Sequence, residues 1–215
     1  MSDRHLAAID FDGTLTDRDT LVGFLRTAFG TSAVVRAFLA GTPDILRARL
    51  GRSVGDAHPR DAAKEAVLRA LTADHRADDL DAKAAAYATT LPERLRPDVL
   101  DRLRWHRSQG HDVIVVSASL LTYLTHLRSD LDLVDVLACE LAVDEHGVLT
   151  GSLARPNVRG PEKEARLRAW MAEREPYGTL WAYGNSSGDR ELLAMADRPT
   201  MVGRRPITPA PTPTD

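Results

Sequence analysis

Ile9-Asp10-Phe11-Asp12-Gly13-Thr14-Leu15-Thr16 is the stretch that decides the fold of this 215-residue chain. Just upstream, Leu6-Ala7-Ala8-Ile9 is short and apolar, the pattern of a buried strand. Just downstream, a glycine and two threonines break the strand and turn the chain. Two carboxylates therefore stand two residues apart at the C-terminal end of a strand, the edge at which open α/β sheets bind ligands. Asp is depleted within strands, and two of them beside an apolar core are costly unless compensated. A hard cation such as Mg²⁺, which takes carboxylate and carbonyl oxygens, would compensate them. The plainer alternative is a strand that ends in an Asp-Gly turn.

Outward from this stretch, residues 17–95 read as helices. Leu21, Val22, Phe24, Leu25 and Phe29 follow helical spacing. Gly30-Thr31 breaks the pattern, Ala33–Ala40 and Ile45–Leu50 continue it, and residues 51–59 read as a loop. Asp61–Leu71 and Asp79–Thr89 complete the block, in which no strand is convincing. From Pro97 the pattern alternates. Helices are expected over Pro97–Gln109, with Pro in the first turn and Gly110 at the end, and over Ser119–Arg128, Pro161–Arg174 and Ser187–Ala196. Strands are expected over His111–Ser117, Val134–Ala142, Thr179–Tyr183 and Thr200–Val202, with Val148–Leu153 pairing back as a hairpin. Alternation of this kind indicates a parallel α/β sheet. The reading is thus a Rossmann-like parallel sheet core, residues 1–16 and 97–203, with a small helical cap, residues 17–96, inserted after the first strand. The Pro/Thr-rich tail, residues 204–215, reads as disordered.

Three further stretches carry chemistry. Val113-Ile114-Val115-Val116-Ser117-Ala118-Ser119 ends a buried strand with a hydroxyl ahead of a helix, where Ser117 could hold a phosphate oxygen or serve as a plain N-cap. Gly160-Pro161-Glu162-Lys163 opens a helix. Arg outnumbers Lys 25 to 3 in this chain, so Lys163 stands out, in a first turn where the helix dipole disfavours a cation. It could neutralise a phosphate and an attacking carboxylate, or be a surface lysine beside Glu162 and Glu164. Tyr183-Gly184-Asn185-Ser186-Ser187-Gly188-Asp189 follows the apolar Leu180-Trp181-Ala182 and forms a polar loop.

In this order, the four stretches resemble the four motifs of the haloacid dehalogenase superfamily, and the resemblance spans residues 5–203. It implies that Asp10 is a nucleophile that becomes a phosphoaspartate. It implies that Asp12 is a general acid/base whose main-chain carbonyl reaches a metal. Ser117 and Lys163 would bind phosphate, and Asp10, Asp12, Asn185 and Asp189 would form the Mg²⁺ site. Asn185 occupies a position more often held by an aspartate ligand; its amide oxygen can coordinate a cation but brings no charge. Gly184-Asn185-Ser186 and the helical block after the first motif are similar to the phosphoserine-phosphatase-like subfamily. The resemblance therefore implies a Mg²⁺-dependent phosphatase hydrolysing a small phosphomonoester through an aspartyl-phosphate intermediate. Two alternatives are a phosphotransferase using the same intermediate and, because of Asn185, a phosphate-ligand-binding protein with a weakened metal site.

Bulk properties fit a globular protein, with 43% hydrophobic and 27% charged residues. A formal net charge of −3 offers no field toward nucleic acid or anionic membrane. The single cysteine, Cys139, has no internal partner and no metal-ligand spacing around it. No apolar run approaches the ~20 residues of a membrane helix, and the N-terminus lacks a signal-peptide core. The expectation is a cytoplasmic monomer or homodimer acting on a small phosphorylated metabolite, without nucleic acid and without a membrane span. Residues 20–60 carry six arginines against two aspartates, whereas residues 61–90 carry four basic and six acidic side chains. That asymmetry singles out Arg47, Arg49 and Arg52 as candidates to grip a second anionic group of the substrate.

Overall fold

The computed structural model describes residues 4–40 and 59–210. Strand β1, His5–Ile9, lies at the centre of a five-stranded parallel sheet of order β3-β2-β1-β6-β7. Leu6, Ala7, Ala8 and Ile9 are fully buried, as expected of a strand covered on both faces by helices. Its neighbours are β2, Asp112–Leu120, and β6, Thr179–Gly184. β3, Asp135–Cys139, and β7, Arg198–Met201, form the two edges. Pro199, which has no N–H to give to a ladder, is placed in the edge strand β7.

Between β1 and β2 the chain is helical, with α1 (Leu21–Phe29), α2 (Thr31–Ala40), α3 (Pro59–Thr72) and α4 (Ala77–Ala88), followed by α5 (Pro97–Ser108). An antiparallel hairpin, β4 (Leu141–Val143) with β5 (Leu149–Leu153), supports α3. Gly151 makes this contact possible. Its φ is +79°, and a Cβ there would lie 3.0 Å from both the Arg69 Cα and the Ala73 Cβ. The remaining helices are α6 (Leu121–Leu124), α7 (Pro161–Ala172) and α8 (Arg190–Ala194). The cap helices are tied to the core by rings. Phe24 of α1, Tyr87 of α4 and Tyr123 of α6 pack with centroids 5.0–5.6 Å apart.

Several sequence expectations need correction. β2 runs on to Leu120, so Ser119–Arg128 is not one helix; α6 is a single turn, followed by a 3₁₀ turn over Thr125–Leu127. The cause is the Leu120–Cys139 pairing, which resumes the β2–β3 ladder after a register shift past Val116. Val134–Ala142 divides in two, because the chain leaves the main sheet at Glu140 to enter β4. Ser187–Ala196 is a 3₁₀ turn plus the short α8. Disorder does not begin at residue 204. Arg96 donates to the Gly203 carbonyl at 2.7 Å, Arg102 to the Thr208 and Pro209 carbonyls at 2.6 and 3.0 Å, and the Ile207 amide to Asp98 at 2.8 Å. The helix over Ile45–Leu50 and the loop over residues 51–59 fall almost wholly outside the described residues. Among the described residues, no single helix is long and apolar enough to cross a membrane.

Candidate active site

The chain turns sharply where β1 ends. The Leu15 and Thr16 amides donate back to the Asp10 and Phe11 carbonyls at 3.3 and 2.9 Å. The turn needs Gly13, whose φ is +76° and whose missing Cβ would fall 2.1 Å from the Asn185 side-chain nitrogen. Glycine alone meets both demands.

Asp10 is 6% exposed. Its Oδ2 accepts from the Thr14 hydroxyl at 2.9 Å, and its Oδ1 accepts from Lys163 Nζ at 2.6 Å. The same ammonium donates to Asp189 Oδ1, also at 2.6 Å. Lys163 reaches both because Gly160, at φ +58°, starts α7 against the loop after β6, and the Gly160 amide donates to the Gly188 carbonyl. The lysine is 2% exposed. A buried cation in the first turn of a helix is disfavoured by the dipole and by desolvation; here two carboxylates compensate it. Burial alone would lower the Lys163 pKa, but Asp10 and Asp189 outweigh it and raise the value.

The two carboxylates on this ammonium differ. Burial would raise the Asp189 pKa, but Lys163 and the Ser186 hydrogen bonds lower it. Its Oδ2 accepts from the Asn185 amide at 3.1 Å and from the Ser186 amide and hydroxyl, each at 2.9 Å. Asp189 is thus a firmly ionised anchor for the Asn185–Ser186 loop. Asp10 has fewer donors. Burial raises its pKa, Lys163 opposes that, and Asp189 adds to it. The carboxylate with fewer hydrogen-bond donors is the one at the end of β1.

Asp12 faces the cap. Its Oδ1 accepts from the Thr20 amide and hydroxyl at 2.8 and 2.6 Å, and its Oδ2 from the Ser119 hydroxyl. Burial, with Asp19 second among the raising causes, pushes the Asp12 pKa up to about 6. Thr20 is itself fixed by rings: its hydroxyl bonds to the Tyr123 hydroxyl at 2.9 Å, and its carbonyl accepts from the Tyr87 hydroxyl at 2.8 Å. Ser117 is buried within β2, three residues before its end, and its hydroxyl accepts from the Ser119 amide at 3.0 Å.

Asp10, Asp12, Ser117, Lys163, Asn185 and Asp189 all line one cavity of about 570 Å³. Six of the nine residues singled out from sequence are therefore brought together. Arg47, Arg49 and Arg52 lie outside the described residues. Sequence reasoning missed Thr14, Thr20, Ser119 and Ser186, the hydroxyls that orient the carboxylates. It also missed Lys64, which lines the cavity from α3. The scarcity of lysine that marked Lys163 applies equally to Lys64 and could have found it.

The donor set suits a hard divalent cation. Among the described residues no three His, Cys, Asp or Glu side chains converge on a point, so a cation here would draw on neutral oxygens as well. They are available: the Asn185 side-chain carboxamide lies against Gly13 and makes no hydrogen bond among the described residues. The three carboxylates Asp10, Asp12 and Asp189 contact one ammonium between them, leaving negative charge for a cation to balance.

Comparison with known proteins places the chain in a family and its fold among solved structures. The family model described as haloacid dehalogenase-like hydrolase matches residues 7–194. Protein CicA of Caulobacter vibrioides is 32% identical over 206 residues, covering 89% of this chain and 83% of that one. A protein of unknown function from Bordetella pertussis Tohama I has the same fold, with a TM-score of 0.73 at 21% identity over 92% of this chain and 89% of its own. So does a phosphoserine phosphatase solved as a phospho-aspartyl intermediate analogue, with a TM-score of 0.58 at 19% identity over 91% and 84% of the two chains.

Proposed function

The chain belongs to the haloacid dehalogenase-like hydrolases, and from that membership we propose that it is a Mg²⁺-dependent phosphatase acting on a small phosphorylated metabolite through an aspartyl-phosphate at Asp10. The observation that carries this reading is the pair of differently held carboxylates, Asp10 on Lys163 and Asp12 on Thr20 and Ser119, at the wall of one cavity. The solved phosphoserine phosphatase that shares the fold supports the same intermediate.

Asp10 attacks phosphorus with a carboxylate oxygen, forming the acyl phosphate as the bond to the leaving oxygen breaks. Asp12 gives its proton to that oxygen. It then takes a proton from the water that attacks phosphorus, which frees phosphate and restores the Asp10 carboxylate. A pKa pushed up to about 6 suits a group that carries a proton in one step and accepts one in the next. Lys163 and Ser117 stabilise the charge on the transferred group. Asp189 acts through others: it positions Lys163 and the Asn185 loop. Asp10, the Asp12 main-chain carbonyl and Asn185 would hold Mg²⁺. The bound ion would screen the charge repulsion between nucleophile and phosphate.

Turnover of p-nitrophenyl phosphate with and without Mg²⁺ tests the reading. Wild type is expected to be active with Mg²⁺ and silent in EDTA. Asp10→Asn should reduce turnover on the order of 10³-fold or more, as removal of a nucleophile does. Retention of substantial activity by a variant verified as Asn at position 10 would remove Asp10 from the role.

A further inference from the structure

The cavity has a second wall that the phosphate chemistry does not use. Arg159 lies in the segment between β5 and α7 and lines the same cavity as Asp10 and Lys163. It is half-buried. Its stem lies on the loop after β6: a Cβ at Gly188 would come within 3.1 Å of the Arg159 Cγ and 3.2 Å of its Nε. The guanidinium has no hydrogen bond or ion pair among the described residues. Arg96, also half-buried, is by contrast matched by Asp98 at 2.9 Å.

Lys64 reaches the same wall from the cap. Its Nζ donates to the Ala118 carbonyl at 2.5 Å and to Asn157 Oδ1 at 2.6 Å, and lies 3.2 Å from Cys139 Sγ. All three partners are neutral. Asp61, which lines the same cavity, accepts from the Asn157 side-chain amide at 2.7 Å and makes no ion pair with Lys64. This wall therefore presents two cations without a direct ion pair, opposite a floor crowded with carboxylates. Cations held in a cleft without a direct ion pair are open to an anion, and a guanidinium takes a carboxylate or phosphate bidentately.

We infer that Arg159, with Lys64 on the same wall, is a specificity-determining residue that grips a second anionic group, a carboxylate or a second phosphate, on the leaving-group part of the substrate. The inference rests on the phosphatase reading for the location of the first phosphate. It concerns the core loop ahead of α7 and is independent of Arg47, Arg49 and Arg52, which lie outside the described residues.

Non-hydrolysable phosphonates test this without requiring turnover. Calorimetric titration in Mg²⁺ compares propylphosphonate with ω-carboxyalkylphosphonates of two to four carbons and with propane-1,3-bisphosphonate. Binding of propylphosphonate tests the phosphate site; the ratio of affinities tests the subsite. Wild type should bind a carboxylated or bisphosphonate ligand at least about tenfold more tightly than propylphosphonate, the range of one charge-assisted hydrogen-bonded contact. The preferred member of the series distinguishes carboxylate from second phosphate. Arg159→Ala should bring the ratio close to one, and Arg159→Lys should retain part of it. Propylphosphonate bound with no preference for any doubly anionic ligand, or a ratio that Arg159→Ala leaves intact, would overturn the subsite while leaving the phosphatase reading standing. Failure of every phosphonate to bind would overturn both.

Discussion

Asn185 is the residue at which this site departs most from the commoner arrangement, and its packing explains why an amide is tolerated. Its side chain lies against Gly13 and makes no hydrogen bond among the described residues, while the charge of the loop is supplied by Asp189, which accepts from the main-chain amides of Asn185 and Ser186. Restoring a carboxylate at position 185 would add one negative charge to an oxygen-lined site. Asn185→Asp is therefore expected to tighten Mg²⁺ by about tenfold, since charged oxygen ligands set cation affinity, as measured by calorimetric titration of the metal alone. An unchanged or weaker affinity would place Asn185 away from the cation. At this scale the sequence marked residues that the fold brings to one cavity and was silent about the hydroxyls that orient them. Asp10, Asp12, Ser117 and Lys163 were legible because each sits against its local preference or at a strand end. Thr20 and Ser119 were not, because a hydroxyl in a loop or strand carries no periodic signal. What makes them matter is a contact across the chain to Asp12.

Elements were legible wherever burial alone decides them. β1 is apolar from Leu6 to Ile9 and forms as expected, with the parallel partners that alternation implies. The end of β2 was not legible. Ser119 and Leu120 look like the start of a helix, yet the strand continues because Leu120 pairs with Cys139 and Ser119 must face Asp12. Helix α5 hides a polar feature of a different kind. His106 is fully buried, with one ring nitrogen 2.8 Å from the Tyr183 hydroxyl and the other 2.8 Å from His111 Nδ1. Burial first, then His111 and Arg102, push its pKa down to about 3, against about 6.5 for an unfolded histidine. Between these values the unfolded chain binds a proton that the fold excludes, so stability rises with pH across that window. The contribution is complete above about 6.5 and lost by about 3. His106→Gln should flatten the pH dependence of the thermal midpoint between pH 4 and 6.5 (about the window set by those pKa values). Equal slopes in variant and wild type would contradict a neutral buried His106.

Across the whole molecule, the core and cap were legible as a change from helical to alternating pattern near Pro97, but the far end was not. Composition marks residues after 203 as an unstructured tail, and Pro-rich sequence does lack a core of its own. The structure instead clasps it by its backbone. Arg96 and Arg102 bind the carbonyls of residues 203, 205, 208 and 209, and Asp98 takes an amide. Recognition of main chain leaves no mark on composition. The four of these hydrogen bonds that lie beyond Gly203, at about 1 kcal/mol each, predict that a chain ending at Gly203 melts about 8–16 °C lower. A melting curve unchanged by the truncation would show that the clasp contributes nothing.

The arrangement of both layers converges on one atom group, the Asp10 carboxylate. β1 delivers it, α7 supplies its ammonium, and the cap sets the neighbouring acid through Thr20. Its covalent chemistry can be read directly by acid quench during turnover of p-nitrophenyl phosphate with Mg²⁺, borohydride reduction of the acyl phosphate, and peptide sequencing by mass spectrometry. The account predicts homoserine at position 10, present only with substrate and absent in Asp10→Asn. Substrate turned over with position 10 unmodified, or the label found on another residue, would contradict it.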